Sequence, residues 1–140
     1  MRLNLQTDYA LRLLMMLATK QDFVSIGEIA KRFRISKHHL TKVAQQLATG
    51  GYITTLRGRG GGVRLMMPTT KIKVGAVVRH MENDLGVVLC LEQDASTSSS
   101  LCMFLPGCKL KRLLSESTAS FLAVLDAKTL ADLVQESKNN

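Results

Sequence analysis

SIGEIAKRFRISKHHLTKVAQQLATGGYITTLRGRGGGVRL, residues 25–65, is the stretch that decides the fold of this chain. Two segments with helical spacing of apolar residues flank the short turn FRIS, which is the pattern of a helix-turn-helix. Ser25 and Ser36 are residues that favour helix N-caps, and Gly50 stands where the second helix should end. The buried stripe predicted for that second helix is Leu40, Val43, Ala44 and Leu47.

The glycine-rich segment RGRGGG, residues 57–62, separates two β-type runs, YITTL and VRLMM. A strand, a glycine-rich loop and a second strand predict a hairpin, and a hairpin after a helix-turn-helix is a wing. A phosphate-binding loop would open a helix and carry a lysine beside a hydroxyl residue. Because this loop opens a strand instead, a wing is the better interpretation.

The segments outside this unit predict further helices. NLQTDYALRLLMMLATK predicts a first helix with a stripe of Leu11, Leu14, Met15 and Ala18, and VGAVVRHMEN predicts a short helix. CKLKRLLSESTASFLAVLDA predicts a long helix, followed by a short one, TLADLVQE, capped by Thr129 and Asp132. The predicted fold class is mainly α with a small β-wing: a winged helix-turn-helix head joined to a long dimerisation helix.

We divide the chain into three parts: residues 1–75, the winged helix-turn-helix DNA-binding domain; residues 76–109, a helix and a cysteine-bearing loop; and residues 110–140, the dimerisation helix and a C-terminal short helix. The long helix has few segments of its own half to pack against, and an apolar stripe without a partner usually implies a homodimer. Its stripe is Leu110, Leu113, Leu114, Ser117, Phe121, Val124 and Leu125.

The net charge of +8 is unevenly distributed. Residues 1–75 hold 13 Lys and Arg against 3 Asp and Glu, whereas residues 76–140 hold 6 against 8. A basic half followed by a slightly acidic half predicts a polyanion-binding module with a second function, although a merely soluble basic surface is the alternative.

Double-stranded DNA is the predicted polyanion, because the N-terminal residues of a recognition helix reach base edges in the major groove. Wing arginines suit phosphates or a narrow minor groove. A dimer would present two recognition helices and prefer a palindromic operator. The predicted DNA-binding residues are Ser36, Lys37, His38, His39, Lys42, Arg57 and Arg59.

Other classes of protein receive little support from the sequence. No apolar run approaches the length of a membrane span, and the N-terminus lacks the pattern of a signal peptide, so we expect a cytoplasmic protein without a membrane partner. We find no nucleophile–base set, no paired carboxylates and no nucleotide fingerprint, and we therefore predict that the protein is not an enzyme.

Three cysteines, Cys90, Cys102 and Cys108, are separated by eleven and by five residues. Three thiolates are typical iron–sulfur ligands, and a cluster then needs a fourth group or an open position. Two alternatives remain open at this point. Cys90 would be a buried apolar residue while the other two form a redox disulfide or bind zinc, or the whole chain would be a small electron-transfer protein.

The segments MRLNLQTDYALRLL, the helix-turn-helix, LRGRGGGVRL, the three cysteines and FLAVLDAKTLADLV together resemble the family of winged-helix iron–sulfur transcription regulators typified by NsrR and IscR. The similarity covers nearly the whole chain, and its TDYALR start and TLADLV end are most similar to the NsrR-like members. The resemblance implies a homodimeric DNA-binding repressor whose operator affinity depends on an iron–sulfur cluster, of the 4Fe-4S type, with nitric oxide as the signal.

The resemblance also implies a set of cluster ligands: Cys90, Cys102 and Cys108 with Asp8 of the partner subunit, accompanied by Arg12. A carboxylate is a hard ligand for a soft iron site, so it would exchange easily. The IscR-like members instead use a histidine shortly after the last cysteine, and Lys111 stands at that place. The spacing of eleven residues is longer than the usual family spacing, although lengthening a loop costs little closure entropy. A sensor of iron or cluster supply, or of thiol oxidation, is the alternative on the same fold.

Overall fold

The structure, a computed structural model, describes residues 2–91 and 102–136. The serine-rich stretch within the predicted cysteine-bearing loop lies outside these ranges. The described elements are α1 (Leu5–Leu17), α2 (Ile26–Phe33), α3 (Lys37–Thr49), β1 (Ile53–Leu56), β2 (Gly62–Leu65), α4 (Val74–Met81), α5 (Lys109–Asp126) and α6 (Leu130–Glu136), with 3₁₀ turns at Thr69–Lys71 and Leu89–Leu91. The predicted fold class, mainly α with a small β-wing, is confirmed.

Helices α2 and α3 form the predicted helix-turn-helix, and both begin at the predicted caps. The Ser25 hydroxyl accepts the Glu28 N–H and the Ser36 hydroxyl accepts the His39 N–H, each at 3.1 Å. Between the helices, Arg34 adopts a left-handed conformation with φ of 55°. That conformation ends α2 abruptly and turns the chain into α3.

The core lies where α3, α1 and α4 pack together. The stripe predicted for α3 is confirmed, because Leu40, Val43, Ala44 and Leu47 are all buried. Of the stripe predicted for α1, Leu14 is fully buried, and Leu11, Met15 and Ala18 are half-buried and pack against the core. Because α1 contacts α3, α4, α6 and β2, its buried face is wide and centred on another side. The buried residues of α1 are Thr7, Ala10, Leu13, Leu14, Met16 and Leu17.

Strands β1 and β2 pair antiparallel as the predicted wing, with Ile53 opposite Leu65 and Leu56 opposite Gly62. The second strand ends at Leu65, two residues before the end of the predicted run VRLMM. At the base of the wing, Val63 exchanges two backbone hydrogen bonds with Val24, of 2.9 and 3.0 Å. This bridge joins the hairpin to the segment before α2.

Helix α5 is attached to the head at its C-terminal end. Arg79 of α4 donates two hydrogen bonds to the Asp126 carboxylate, of 2.7 and 2.6 Å. These hydrogen bonds raise the pKa of Arg79 and lower the pKa of Asp126. Gly75 lies directly beneath Asp126, where a Cβ atom would overlap the Asp126 carboxylate. Glycine therefore allows α4 and α5 to approach closely.

Helix α6 folds back onto the head. Its predicted cap is confirmed, because Thr129 N–H donates to the Asp132 carboxylate at 2.7 Å and Asp132 N–H donates to the Thr129 hydroxyl at 3.4 Å. The Thr129 hydroxyl also donates to the Asp132 carboxylate, at 2.8 Å, and the hydrogen bonds from the Thr129 N–H and hydroxyl lower the pKa of Asp132. Leu130 is fully buried in the head, and its N–H donates to the Ile72 carbonyl at 2.8 Å. The segment after α5 thus contributes to the same core as α1 and α3.

A polar network joins the start of α1 to the end of α4. The Glu82 carboxylate accepts the Asn4 N–H at 2.9 Å and the hydroxyl of the buried Thr7 at 2.6 Å. Asn4 itself caps α1 by accepting the Thr7 N–H.

In the ranges described, we find no helix that combines the length and the apolar character needed to cross a membrane.

Candidate DNA-binding surface and cysteine site

The N-terminal end of α3 carries polar and basic side chains that are open to solvent. Ser36, Lys37, His38, His39 and Lys42 are all exposed. The Ser36 hydroxyl already accepts a backbone N–H as the cap, but its own proton remains available to an acceptor. These side chains offer donors to the acceptor-rich base edges of a major groove.

The turn before α3 adds cations that the sequence analysis did not single out. Lys31 and Arg34 line a groove with Lys37 beside the start of the recognition helix. Both residues are exposed. Their signal was present in the sequence as basic residues at the end of α2, but only the left-handed turn at Arg34 brings them next to α3.

The wing loop extends this basic surface. Arg57 and Arg59 are exposed, and the loop turns through Gly58 and Gly60, whose φ angles are 94° and 75°. Only glycine adopts such angles without strain, so the tip stays narrow. On β2, the Arg64 guanidinium lies 4.6 Å from the centroid of the Phe23 ring, which makes Arg64 a further cation on the wing.

Among the described residues, no lysine or arginine of α3 or the wing forms an ion pair with a carboxylate. Within residues 2–91 and 102–136, the side-chain ion pairs found are Arg12–Asp8, Arg79–Asp126 and Arg112–Glu116. None of them uses a lysine or arginine of α3 or the wing. Their charge is therefore available to an external polyanion.

Cys108 lines an open groove at the start of α5, and Cys90 and Cys102 lie in the segments that lead into it. Cys90 lies in the turn Leu89–Leu91, and Cys108 is the N-cap of α5, where its sulfur accepts the Lys111 N–H at 3.4 Å. Leu91, Leu105 and Cys108 line the groove, and the Leu105 N–H donates to the Cys102 carbonyl at 3.2 Å. All three thiols are half-buried and free of disulfides.

The donor chemistry of this groove fits an iron–sulfur cluster, but the described residues do not form a complete set of ligands for one. The groove offers the Cys108 thiol, partly apolar walls and a helix N-terminus, which attracts the negative charge of a thiolate-bound cluster, and Cys90 and Cys102 are free thiols of the neighbouring segments. In the portion of the chain that the structure describes, no three His, Cys, Asp or Glu side chains lie close enough to share a metal ion. The cysteines are therefore brought to the same region but not into a complete ligand set.

Asp8 and Arg12 lie on an exposed face of α1. The Arg12 guanidinium donates to Asp8 Oδ1 at 3.0 Å, so the two residues are neighbours on this face. Both side chains remain substantially exposed, with 43% accessibility for Asp8 and 57% for Arg12. Within the described residues of a single chain, Asp8 and the cysteines form no common metal-binding group.

The fold and the free cations define the class of this molecule, a winged helix-turn-helix protein with a basic DNA-binding surface. A family described as "Rrf2: Iron-dependent Transcriptional regulator" matches residues 3–136. The chain belongs to the Rrf2 family of transcriptional regulators.

Two curated relatives and two solved structures illustrate the similarity. The chain is 43% identical to the HTH-type transcriptional regulator NsrR of Bacillus subtilis (strain 168), over 99% of this chain and 94% of the relative. It is 42% identical to the regulator of the same name from Geobacillus kaustophilus (strain HTA426), over 97% and 91%. The structure of T. potens IscR gives a TM-score of 0.78 at 24% identity, covering 98% and 88% of the two chains. Oxidised Staphylococcus aureus CymR gives 0.74 at 25%, covering 96% of each.

Proposed function

We propose that this chain is a homodimeric DNA-binding repressor whose operator affinity is controlled by an iron–sulfur cluster that senses nitric oxide. The observation that carries the proposal is the 43% identity, over 99% of the chain, to a regulator named NsrR. Three free thiols at the start of the long helix supply the matching donor set. The proposed activity is regulated binding, without catalysis.

DNA binding would use both ends of the basic surface. The exposed residues at the start of α3 would enter the major groove, where Lys37 and Lys42 donate to bases or phosphates. Arg57 and Arg59 at the wing tip would lie against the neighbouring minor groove or its phosphates. The absence of carboxylate partners for these four cations, among the described residues, supports this assignment.

Dimerisation would use the outer face of α5. Leu110, Leu113 and Val124 leave 60%, 59% and 69% of their surface accessible, while Leu114, Phe121 and Leu125 are half-buried toward the chain's own head. The predicted stripe is therefore covered on one side and open on the other. A symmetric second copy would cover the open side and set two recognition helices at a fixed distance, which requires a palindromic operator.

The cluster would be held by Cys90, Cys102 and Cys108 together with Asp8 of the partner subunit. When bound, the cluster supplies iron that reacts with nitric oxide. Arg12 holds Asp8 Oδ1 in this structure, so the other carboxylate oxygen is the one available for ligation. Losing this contact would free α1 of one subunit from α5 of the other.

Release of Asp8 would change how the two heads are placed. Helix α1 packs directly on the recognition helix α3, so a force applied at Asp8 acts on the head as a whole. A dimer whose heads move apart no longer matches a fixed half-site spacing. The repressor would then leave its operator.

A sensor of iron or cluster supply is the second candidate, and the family description "Iron-dependent" favours it. The two candidates share the fold, the DNA surface and the cysteines. They differ in whether nitric oxide or removal of iron releases the DNA. Thiol oxidation would act on the same three cysteines without any iron.

The test begins with protein purified without oxygen. We expect about four irons and four sulfides per subunit with a broad visible absorption band, and we expect Cys108→Ser to lose them. Ser115→Ala, in the same groove, is the matched control and should retain them. A duplex selected by the wild-type protein from a random library then serves as the operator for nitric oxide and chelator titrations.

The outcomes separate the parts of the proposal. Release of the selected duplex by nitric oxide at constant iron supports the nitric oxide sensor, whereas release only by a chelator supports the iron sensor. Protein that stays colourless and iron-free after reconstitution would refute the cluster and leave a thiol sensor. A failure to enrich any sequence would refute the operator-binding function itself.

A further inference from the structure

His80, on α4, contacts the point where the recognition helix ends and the wing begins. Its Nε2 atom lies 2.6 Å from the Gln46 carbonyl oxygen. Because a carbonyl only accepts, the ring nitrogen must carry the proton and donate. Gln46 lies in the last turn of α3, and its carbonyl, which also accepts the Gly50 N–H at 3.0 Å, receives a second hydrogen bond from His80.

The same ring packs against the first residue after the turn. The His80 and Tyr52 ring centroids are 5.6 Å apart, and Tyr52 directly precedes β1. Burial raises the pKa of the Tyr52 hydroxyl, which is consistent with a sheltered position. His80 therefore touches both the recognition helix and the start of the wing hairpin.

Gly50 shows that this contact is built tightly. A Cβ atom at Gly50 would lie 2.6 Å from His80 Nε2 and 2.8 Å from the Tyr52 ring. The backbone of Gly50 is right-handed, with φ of −76°, so its conformation alone does not require glycine. The requirement comes from the His80 ring together with the Tyr52 ring, which occupy the space that a side chain would need.

We propose that His80 is a positioning residue for DNA recognition, which fixes the recognition helix relative to the wing from α4. The DNA-contacting residues proposed above lie at the far ends of these two elements, at the start of α3 and at the wing tip. The Gly50–Tyr52 turn is the hinge between them. A contact at the hinge controls whether both ends reach one DNA site together.

The position of His80 also links the recognition helix to the long helix α5. Its neighbour Arg79 donates to the Asp126 carboxylate of α5. Glu82, two residues after His80, accepts the Asn4 N–H at the start of α1. Helix α4 thus contacts the long helix on one side and the recognition helix on another. This inference rests on the proposed DNA-binding function and adds the residue through which a movement of α4 reaches the DNA-reading elements.

The test compares two duplexes, the one selected from a random library by the wild-type protein and a scrambled version of it. We expect His80→Ala to weaken binding to the selected duplex by about two- to tenfold, the contribution of one hydrogen bond. Binding to the scrambled duplex and its salt dependence should not change, because the phosphate contacts remain. His80→Gln, which keeps a donor, should restore most of the affinity.

Gly50→Ala is a second way to disrupt the contact between His80 and the Gly50–Tyr52 turn. It should weaken selected binding as His80→Ala does, and the two substitutions together should cost less than the sum of their separate effects, because the collision with His80 is removed. An unchanged ratio of selected to scrambled affinity in His80→Ala, compared with wild type, would overturn the positioning role. If both affinities fell by the same factor together with a lower Tm, His80 would be a purely structural residue. Only a wild-type protein without sequence preference would overturn the proposed function, and the inference with it.

Discussion

Replacing Leu113 by aspartate is expected to break the dimer while leaving the head folded. Leu113 lies on the open side of α5, with 59% of its surface accessible in the single chain. Full burial of a leucine side chain contributes about 1.5–3 kcal/mol, so covering the remaining surface contributes about 1–2 kcal/mol per subunit. Two-fold symmetry doubles this value to about 2–4 kcal/mol per dimer, or about 30- to 700-fold in the dissociation constant.

The aspartate adds the cost of placing a charge in the interface, so the lower end of this range is a minimum. Sedimentation equilibrium across a range of protein concentrations measures the dimer constant directly. Met66→Asp is the matched control: Met66 is 66% exposed, but it lies beyond the wing and not on α5. Circular dichroism should show the same helix content for both variants and the wild type.

The same variants test how DNA is bound. A monomeric Leu113→Asp protein should bind one half-site weakly and lose preference for the palindromic spacing. If Leu113→Asp and Met66→Asp changed the dimer constant equally, the open face of α5 would not be the interface. If a stable dimer persisted in Leu113→Asp with unchanged affinity, the burial argument would be wrong.

Three further predictions follow from single contacts. Gly62→Ala should lower the free energy of unfolding by about 2–5 kcal/mol in a thermal or urea melt, because the φ of Gly62 is 154° and a Cβ would overlap the Val24 carbonyl. Gly27→Ala is the control and should not lower it, because the space around Gly27 is open. Since Arg79 lowers the pKa of Asp126 below its ordinary 3.8, this ion pair stabilises the fold above about pH 4 and is lost as the pH falls through the lowered pKa. Asp126→Asn should therefore lower Tm at neutral pH, and its difference from wild type should shrink below pH 4; a constant difference would contradict the reasoning. Arg59→Ala should weaken selected and scrambled duplexes alike and reduce the salt slope of binding by about 0.9 per subunit, or about 1.8 for a dimer; an unchanged slope would mean that the arginine contacts no phosphate.

The parts of the fold that sequence predicted are those fixed by neighbours in the chain. The N-caps Ser25 and Ser36 bond to the N–H groups three residues ahead, and a hairpin is set by its own loop. The stripe of α3 was also correct, because α3 has one buried face and one face open to solvent. Local spacing is sufficient information for features of this kind.

The parts that local spacing did not predict depend on several partners at once. The first helix is apolar on most sides, so Leu11 and Met15 fitted a helical stripe as well as the residues that are buried, and only packing against four elements selects among them. The contact between His80 and Gln46 joins positions 34 residues apart, and no local pattern in the sequence indicates it. The cysteine ligand set rests on the family resemblance and stays a prediction, because no local pattern fixes how the three thiols meet.

In the proposed mechanism, the attachment of α5 would turn a small change at the cysteines into a large one at the DNA. The C-terminal end of α5 is fixed to the head by the Asp126 fork, and the Val74 N–H donates to the Lys128 carbonyl at 3.0 Å just beyond it. The other end begins at Cys108, beside the groove. With 18 residues, α5 is about 27 Å long, so a tilt of about 10° displaces one end by about 5 Å relative to the other. Because the head is attached to this end of α5, it would move by the same distance. That distance exceeds one base-pair step of about 3.4 Å, which is enough to take a recognition helix out of register with its half-site.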